Sequence, residues 1–191
     1  TMPIMGDIEL AWRVRDKVKT QEWVLITGTN GKTTTTQLVE QMLISDGKRA
    51  VACGNIGTPV LDAVRDPNGW DFLVVEVSSF QLHYLGTVAP HVSAILNIAE
   101  DHIDWHGSLE SYKAAKAKVF SGTTGSIIYN AEDIETRKLA ELADVSDESV
   151  LAVAFTRFMP TDMQVGFVEE FLVDRAFYGY RAKELPELSN L

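Results

Sequence analysis

A glycine-rich turn followed by one lysine and four threonines is the part of this sequence best suited to bind phosphate. It lies in the stretch VLITGTNGKTTTT, residues 24–36. The apolar residues before Gly28 predict a short buried strand, residues 28–31 predict a tight loop, and residues 33–45 predict a helix. A helix that begins beside such a loop directs free backbone N–H groups and the positive end of its dipole to one place. That place suits the phosphates of a nucleotide.

The match to the P-loop pattern GxxxxGK[ST] is partial, because Ile26 stands where the first glycine is required. The two residues of the pattern that contact phosphate and Mg²⁺ are nevertheless present. Lys32 supplies a point charge for terminal phosphates, and Thr33 supplies a hydroxyl ligand for Mg²⁺. A glycine turn before a well-capped helix is the alternative, but it gives no reason for a lysine at this point. The pattern therefore favours nucleotide binding by Gly28, Thr29, Asn30, Gly31, Lys32, Thr33 and Thr34.

Polar side chains also follow two other predicted strands at their carboxyl ends. Glu76 opens the stretch EVSSFQL, where a carboxylate is suited to hold Mg²⁺ beside phosphates bound by the first loop. A helix-terminal or surface carboxylate is the alternative. His102 lies in NIAEDHIDWHG among three carboxylates, with His106 close by. This concentration of histidine and carboxylate side chains is typical of a metal or substrate site. A structural histidine in a solvated loop is the alternative.

Lys116 is out of place on the helix that the sequence predicts over residues 108–120. At 100° per residue it falls within the apolar stripe that contains Tyr112 and Phe120, whereas Lys118 falls on the opposite face. A long lysine side chain that reaches past its neighbours to water is the alternative. A lysine on a buried face often has an altered charge or a chemical role, so Lys116 is a candidate site residue.

Alternating apolar and amphipathic segments form the frame that must position these residues. They run from WVLIT at residues 23–27 to SVLAVAF at residues 149–155. Runs such as residues 72–77 lack period-two alternation, which is typical of strands covered on both faces. The pattern predicts an α/β fold, with a doubly wound, mostly parallel sheet and ligands at the carboxyl ends of the strands. After Pro160, residues 164–181 predict a small antiparallel hairpin.

The composition excludes several classes of protein. With 191 residues and 46% hydrophobic content, the chain has the length of one domain with a substantial core. No apolar run approaches the roughly 20 residues that span a bilayer, so no membrane partner is expected. A formal charge of −10 argues against wrapping nucleic acid. The single cysteine, Cys53, excludes an internal disulfide and fits a core position in a cytoplasmic protein, for which we expect a monomer.

Four stretches together resemble the central, ATP-binding domain of the Mur ligases of peptidoglycan synthesis. They are GTNGKTTT, GNIGTP, EVSSFQL and NIAEDHIDWHGSLESYKAAKAKVF, and the resemblance is strong over residues 24–120. The first of them marks the whole superfamily, which includes folylpolyglutamate synthases. EVSSFQL is the narrower signal, and it resembles the members that add D-glutamate. The resemblance implies a P-loop NTPase-like domain within the predicted α/β class.

A reaction and a set of site residues follow from the resemblance. ATP would phosphorylate the carboxylate of UDP-N-acetylmuramoyl-L-alanine, and the amine of D-glutamate would attack the resulting acyl phosphate to form an amide. Residues 28–34 correspond to the family's ATP-binding residues. The implied catalytic residues are Lys32, His102 and Lys116; the ligands of two Mg²⁺ ions are Thr33, Glu76, His102 and a Lys116 carbamylated by carbon dioxide; the contacts to the UDP-sugar are Asn55, Ser78 and Gln81.

The resemblance also implies a division of the chain. Residues 1–22 would form a linker helix from an N-terminal domain, and residues 23–191 would form the ATP-binding central domain, with a C-terminal ligase domain elsewhere. Such a fragment is not expected to complete ligation, because neither substrate would be held in position. A sister Mur ligase, a folylpolyglutamate synthase-like ligase and a nucleotide-binding regulatory module without chemistry are the alternatives.

Overall fold

The apolar runs of the sequence form the strands of one sheet, and the stretches between them form helices. The computed structural model describes residues 4–16, 21–143, 149–177 and 183–184. Its strands are β1 Glu22–Thr27, β2 Ala50–Gly54, β3 Phe72–Glu76, β4 Val92–Ile95, β5 Ser126–Asn130, β6 Leu151–Phe155, β7 Gln164–Val168, β8 Phe171–Asp174 and β9 Lys183–Glu184. Its helices are α1 Asp7–Val14, α2 Lys32–Ser45, α3 Val60–Ala63, α4 Ser79–His83, α5 Ile103–His106, α6 Leu109–Ala117 and α7 Ile134–Glu141. A 3-10 turn, Lys118–Phe120, extends α6.

The strand order places the first loop at the point where the chain changes direction. The order is β2-β3-β1-β4-β5-β6-β7-β8-β9, and the pairs from β2 to β7 are parallel. The chain leaves β1 for β2 and β3 on one side and then crosses to β4 on the other. Connections that diverge in this way leave a crevice at the carboxyl ends of the strands, where ligands bind in open α/β sheets. The segments after β1, β3 and β4 border this crevice.

Side chains of β1 alternate between the two faces of the sheet, although the strand is apolar throughout. Trp23 and Leu25 belong to a core cluster that includes buried residues of α1, α3, α4 and α7. Val24 and Ile26 belong to a second cluster, against which Val39 of α2 packs. Helices therefore lie on both faces of the sheet, and the predicted doubly wound α/β architecture is confirmed.

The strands after Pro160 form the predicted hairpin. β7 pairs antiparallel with β8, and residues 165–168 lie opposite residues 171–174. The pairing of β6 with β7 is parallel, which the sequence did not indicate. Residues 178–181 of the predicted hairpin stretch lie outside the described residues, so the prediction is confirmed for β7 and β8 alone.

Several helices are shorter than the amphipathic stretches that predicted them. α1 covers eight residues of the predicted 1–22 helix, and β1 already begins at Glu22; residues 17–20 are outside the described part. Ser108, where the helix was predicted to begin, caps α6 by accepting a hydrogen bond from the Ser111 N–H at 3.1 Å. Cys53 is fully buried as predicted, and burial raises the pKa of its thiol to about 12. Within the described ranges, no helix has the length and apolarity needed to cross a membrane.

Candidate active site

The loop after β1 wraps around the side chain of Lys32. Gly31, at the start of α2, has φ of +80°, a left-handed conformation that glycine adopts at little cost. A side chain at Gly28 would bring its Cβ to 3.1 Å from Leu96 Cβ. The Lys32 ammonium donates to the carbonyls of Gly28 and Thr29, each at 3.0 Å. The lysine, the loop and the amino end of the 14-residue α2 thus converge at one place.

Asn97 holds this loop, and the sequence analysis missed it. The Asn30 N–H donates to Asn97 Oδ1 at 2.8 Å, and Asn97 Nδ2 donates back to the Asn30 carbonyl at 3.0 Å. The Thr29 N–H also donates to the Asn97 carbonyl at 3.0 Å. The contact depends on β4 lying next to β1, and nothing in the sequence indicated that neighbour. An asparagine directly after an apolar strand was the available signal.

Glu76 is a buried carboxylate with a partner on each oxygen. Its Oε2 accepts from the Thr33 hydroxyl at 2.9 Å, and its Oε1 accepts from Asn55 Nδ2 at 3.0 Å. Glu76 is only 1% exposed, so these two bonds fix its orientation. Gly54 approaches so closely that a Cβ there would lie 2.4 Å from the Glu76 carbonyl. The structure therefore brings together Thr33 and Glu76, as predicted, and places Asn55 behind the carboxylate.

A cavity of about 250 Å³ lies between the loop, α4 and α6. Its lining residues are Gly28, Lys32, Asn55, Ser78, Ser79, Phe80, Asp101, His102, Tyr112 and Lys116. These ten residues come from five separate segments of the chain, and six of them were predicted site residues: Gly28, Lys32, Asn55, Ser78, His102 and Lys116. The cavity joins the predicted phosphate loop to the predicted substrate residues.

Lys116 reaches the cavity from a buried position, which confirms the anomaly seen in the helical pattern. It is 2% exposed, and its ammonium donates to the Gly28 carbonyl at 2.8 Å and to the Thr27 hydroxyl at 3.2 Å. Burial first, and then the charge of Lys32, lower the pKa of Lys116 to about 7, although Asp101 acts in the opposite direction. Near neutral pH this side chain is poised between its charged and neutral forms.

His102 lines the cavity and has a strained backbone conformation. Its φ of 52° lies in the left-handed region, which costs free energy for a residue other than glycine. The ring packs against Phe80 at 4.8 Å between centroids, and Nε2 lies 3.4 Å from a carboxylate oxygen of Asp101. In the ranges that the structure describes, no three His, Cys, Asp or Glu side chains are grouped so that they alone could hold a metal ion.

Ser78 and Gln81 form the start of α4. The Ser78 hydroxyl accepts from the Gln81 N–H at 3.2 Å, and Gln81 Oε1 accepts from the Ser78 N–H at 3.0 Å. This reciprocal capping box fixes the first turn of the helix. Ser78 lines the cavity, whereas the Gln81 amide is directed to Ser78 and Asp7. Thr34, the last predicted nucleotide ligand, is exposed on α2.

Tyr112 and His106 are site residues to which the sequence analysis gave no role. The Tyr112 hydroxyl lies 2.9 Å from the Thr29 hydroxyl, and the ring centroid lies 4.9 Å from the Lys116 ammonium. Burial raises the pKa of Tyr112. His106 Nε2 lies 3.0 Å from the Ser79 hydroxyl, and burial lowers the pKa of His106. The helical period predicted that Tyr112 and Lys116 share one face of the helix. The contact between Tyr112 and Thr29 shows that this face packs against the loop.

Comparison with known proteins identifies the family to which this arrangement belongs. A family profile described as the Mur ligase middle domain matches residues 26–186. The chain belongs to the Mur ligase family. The match contains the loop, the buried carboxylate, His102 and Lys116, so every residue that lines the cavity lies within the matched region.

Curated relatives place the chain within one branch of the Mur ligases. It is 52% identical to a UDP-N-acetylmuramoylalanine–D-glutamate ligase of Tropheryma whipplei (strain Twist), over the whole of this chain and 40% of that protein. It is 50% identical to a ligase of the same name from Thermobifida fusca (strain YX), over 98% of this chain and 40% of that protein. The chain therefore spans about 40% of the length of the curated relatives it matches.

Solved structures of the superfamily share the fold. The TM-score is 0.68 with a UDP-N-acetylmuramoyl-L-alanyl-D-glutamate–2,6-diaminopimelate ligase, at 22% identity over 86% of this chain and 39% of that chain. It is 0.61 with MurF from Acinetobacter baumannii, at 21% identity over 87% and 39% of the two chains. It is 0.58 with E. coli FolC in complex with DHPP and ADP, at 16% identity over 97% and 55%. At these identities the likeness supports the fold alone, and it agrees with the predicted fold class.

Proposed function

We propose that this Mur ligase domain binds ATP and Mg²⁺ for a ligase that joins D-glutamate to UDP-N-acetylmuramoyl-L-alanine. The observation that carries the proposal is the Thr33–Glu76 pair, a hydroxyl and a buried carboxylate that meet beside the Lys32 loop. The relatives' shared name supports the choice of amino acid and UDP-linked substrate.

The loop fits the triphosphate of ATP. Backbone N–H groups at the amino end of α2 and the Lys32 ammonium supply positive charge at one point, which suits phosphate oxygens. The asparagine clamp between Asn97 and Asn30 keeps this loop in place. ATP, when bound, supplies a terminal phosphoryl group, and the role of these residues is to orient it and to balance its charge.

The donors at Thr33 and Glu76 fit Mg²⁺, which prefers oxygen ligands and keeps several waters. The Thr33 hydroxyl and Glu76 Oε2 are 2.9 Å apart, and Asn55 holds the other carboxylate oxygen. With two protein oxygens, the remaining ligands would come from phosphate and water. We propose His102 as a group for a second ion in the cavity. Bound there, such ions would offset repulsion between the anionic reactants.

We assign the other side of the cavity to the carboxylate substrate. Asn55, Ser78 and Gln81 would orient the UDP-sugar, while Lys116 and His102 would lie near the reacting carboxylate. One carboxylate oxygen would attack the terminal phosphorus of ATP and release ADP. The D-glutamate amine would then attack the acyl carbon, release phosphate and lose a proton, so that an amide is formed.

A carbamate at Lys116 is part of the same proposal. The support is its burial, the neighbouring charge of Lys32 and a pKa of about 7, which makes the uncharged amine available to react with carbon dioxide. The product would be an anion suited to orient metal. Native mass spectrometry under bicarbonate and crystallography test this, and a free Lys116 amine that coordinates nothing in both would contradict it.

The experiment for the function is phosphate release by the full-length ligase chain that contains this domain. ATP, Mg²⁺ and UDP-N-acetylmuramoyl-L-alanine are supplied together with D-glutamate, L-glutamate, L-lysine, L-alanine or no amino acid. We expect release that depends on D-glutamate. Release with another amino acid would move the chain to a sister ligase, and release that depends on none of them would contradict the ligase reaction.

A further inference from the structure

The side chain of Gln81 is fixed by partners on both sides of its amide. Its Nε2 donates to the Asp7 carboxylate, at 3.0 Å to Oδ2 and 3.2 Å to Oδ1. Its Oε1 accepts from the Ser78 N–H at 3.0 Å and from the Ser78 hydroxyl at 3.1 Å. A carboxylate accepts and a backbone N–H donates, so only one orientation of the amide satisfies both partners. Asp7 therefore selects the orientation that presents the amide oxygen to Ser78.

This orientation bears on the candidate site because Ser78 begins one wall of the cavity. Ser78, Ser79 and Phe80 line the same cavity as Lys32 and Lys116. If the amide of Gln81 turned over, its NH₂ group would face the Ser78 N–H, and two donors would meet. The first turn of α4 would then have to shift, and the wall would shift with it.

Helix α1, which carries Asp7, is itself anchored at the other end of α4. The Glu9 carboxylate accepts from the Gly86 and Thr87 N–H groups, each at 2.9 Å, and from the Thr87 hydroxyl at 2.6 Å. Ile8 is buried in the main core cluster beside these contacts. α1 is therefore bonded to the beginning of α4 through Asp7 and to the turn after α4 through Glu9.

We propose that Asp7 is a positioning residue for this wall, and that α1 sets the orientation of the start of α4 through the Asp7–Gln81 bond. For its ligand the inference rests on the proposed function: the wall faces the UDP-linked carboxylate substrate. Asp7 acts through Gln81 and Ser78 and does not itself line the cavity.

A purely structural role for Asp7 makes a different prediction. Asp7 lies in the first turn of α1, where any carboxylate stabilises a helix by interacting with its dipole. Loss of that effect would lower stability and leave substrate binding unchanged. Positioning of the wall instead changes the KM for the UDP-linked substrate selectively and leaves the KM for ATP unchanged.

The first experiment measures steady-state kinetics of the full-length ligase chain that contains this domain. We expect D7A to raise the KM for the UDP-linked substrate about tenfold, the effect of one charge-assisted hydrogen bond, with the KM for ATP unchanged. D7N keeps an acceptor oxygen for Gln81 but loses the charge, so it is expected to raise this KM less than D7A does. The control is D62A, which removes an exposed first-turn carboxylate from α3. An unchanged KM in D7A, or equal changes for both substrates, would overturn the proposal.

A double-mutant cycle assigns the effect to the Asp7–Gln81 bond. If Asp7 acts through Gln81, the D7A/Q81A double variant is expected to have the same KM as Q81A alone. Additive effects of the two substitutions would mean that Asp7 acts by another route, and would overturn the proposal.

A second experiment does not depend on catalysis and uses the 191-residue chain. In amide NMR spectra, D7A is expected to shift the Ser78 N–H and Gln81 side-chain NH₂ resonances and to speed hydrogen exchange at the Ser78 N–H, while D62A leaves them unchanged. Unchanged resonances in D7A would overturn the positioning role. Shifted resonances, together with a wild-type ligase that ignores D-glutamate, would support positioning and contradict the proposed function.

Discussion

Two lysines of this Mur ligase domain share one acceptor. The Gly28 carbonyl accepts from the Lys32 ammonium at 3.0 Å and from the Lys116 ammonium at 2.8 Å. Like charges this close repel each other, which is one reason why the pKa of Lys116 is lowered. A polyphosphate beside the loop would give both cations an anionic partner. The pair therefore indicates a site built to receive negative charge.

Lys32 is expected to carry much of the affinity for the terminal phosphates. We predict that K32A weakens ATP binding by about tenfold or more, because a charge-assisted contact to phosphate is lost. Isothermal titration calorimetry of the 191-residue chain measures this. K48A is the control, since Lys48 is exposed in the turn before β2, at the amino end of the strands. Equal affinity for K32A and wild type would contradict the assignment of the loop.

Glu76 is expected to make nucleotide binding dependent on Mg²⁺. In E76Q the side chain keeps its shape, but a neutral amide replaces a buried anion that Thr33 and Asn55 hold in place. We predict that Mg²⁺ increases ATP affinity in the wild type and does so far less in E76Q. The measurement is ATP titration with Mg²⁺ and with EDTA. An undiminished effect of Mg²⁺ in E76Q would place the metal elsewhere.

At the scale of elements, the phosphate loop is held by the strand next to it. Asn97, just after β4, exchanges two hydrogen bonds with the backbone of Asn30. A loop fixed before the ligand arrives loses less conformational entropy on binding than a free loop does. The neighbouring strand thus contributes to a site whose ligands lie mostly on β1 and α2.

Removal of this clamp is expected to weaken ATP binding while Lys32 stays in the chain. We predict about tenfold lower ATP affinity for N97A, since two hydrogen bonds that preorganise the loop are lost. Isothermal titration calorimetry measures it, and N68A is the control, because Asn68 is exposed in the turn before β3. If N97A binds ATP as the wild type does, the loop does not depend on β4.

Helix α1 is held to the domain by a buried ion at Glu9. Burial raises the pKa of this carboxyl, but hydrogen bonds from Thr87, Gly86 and Arg13 outweigh burial and lower the pKa from 4.5 to about 2. A carboxyl with a lowered pKa in the folded state stabilises the fold above its unfolded pKa. This stabilisation is lost as the pH falls from about 4.5 towards about 2.

E9Q therefore has a pH-dependent effect on stability. We predict that it lowers the free energy of unfolding by about 2 kcal/mol at pH 7, and that the difference from wild type shrinks as the pH falls below about 4.5. Urea unfolding at pH 7, 4.5 and 3 measures it. E141Q, which changes an exposed glutamate at the end of α7, is the control. A constant difference across this range would show that the Glu9 charge is not responsible.

At the scale of the whole molecule, local patterns predicted the elements and most of the candidate site. The loop before α2 was visible because glycine, lysine and threonine each have a local chemical reason to stand there. Lys116 was visible because a helix has a regular period, and the structure places it at 2% exposure. Glu76 was visible because polar residues at the carboxyl ends of parallel strands meet at one edge.

The contacts that the sequence did not indicate depend on which segments are neighbours in the folded structure. Asn97 reaches Asn30 only because β4 lies beside β1, and Asp7 reaches Gln81 across 74 positions of the chain. Tyr112 contacts Thr29 because α6 packs beneath the loop. Periodicity predicts which face a residue lies on but does not predict its partner from a distant segment. The missed residues are therefore those that support the ligands from other elements.

The most direct test of this account follows one oxygen atom through the reaction. UDP-N-acetylmuramoyl-L-alanine is labelled with oxygen-18 in its carboxylate and supplied with ATP, Mg²⁺ and D-glutamate to the full-length ligase chain that contains this domain. If the cavity brings the carboxylate to the terminal phosphorus, the amine later displaces a phosphate that retains one substrate oxygen. We expect released phosphate with one oxygen-18 atom, as measured by mass spectrometry. Released phosphate without oxygen-18 would contradict activation of the carboxylate at this site.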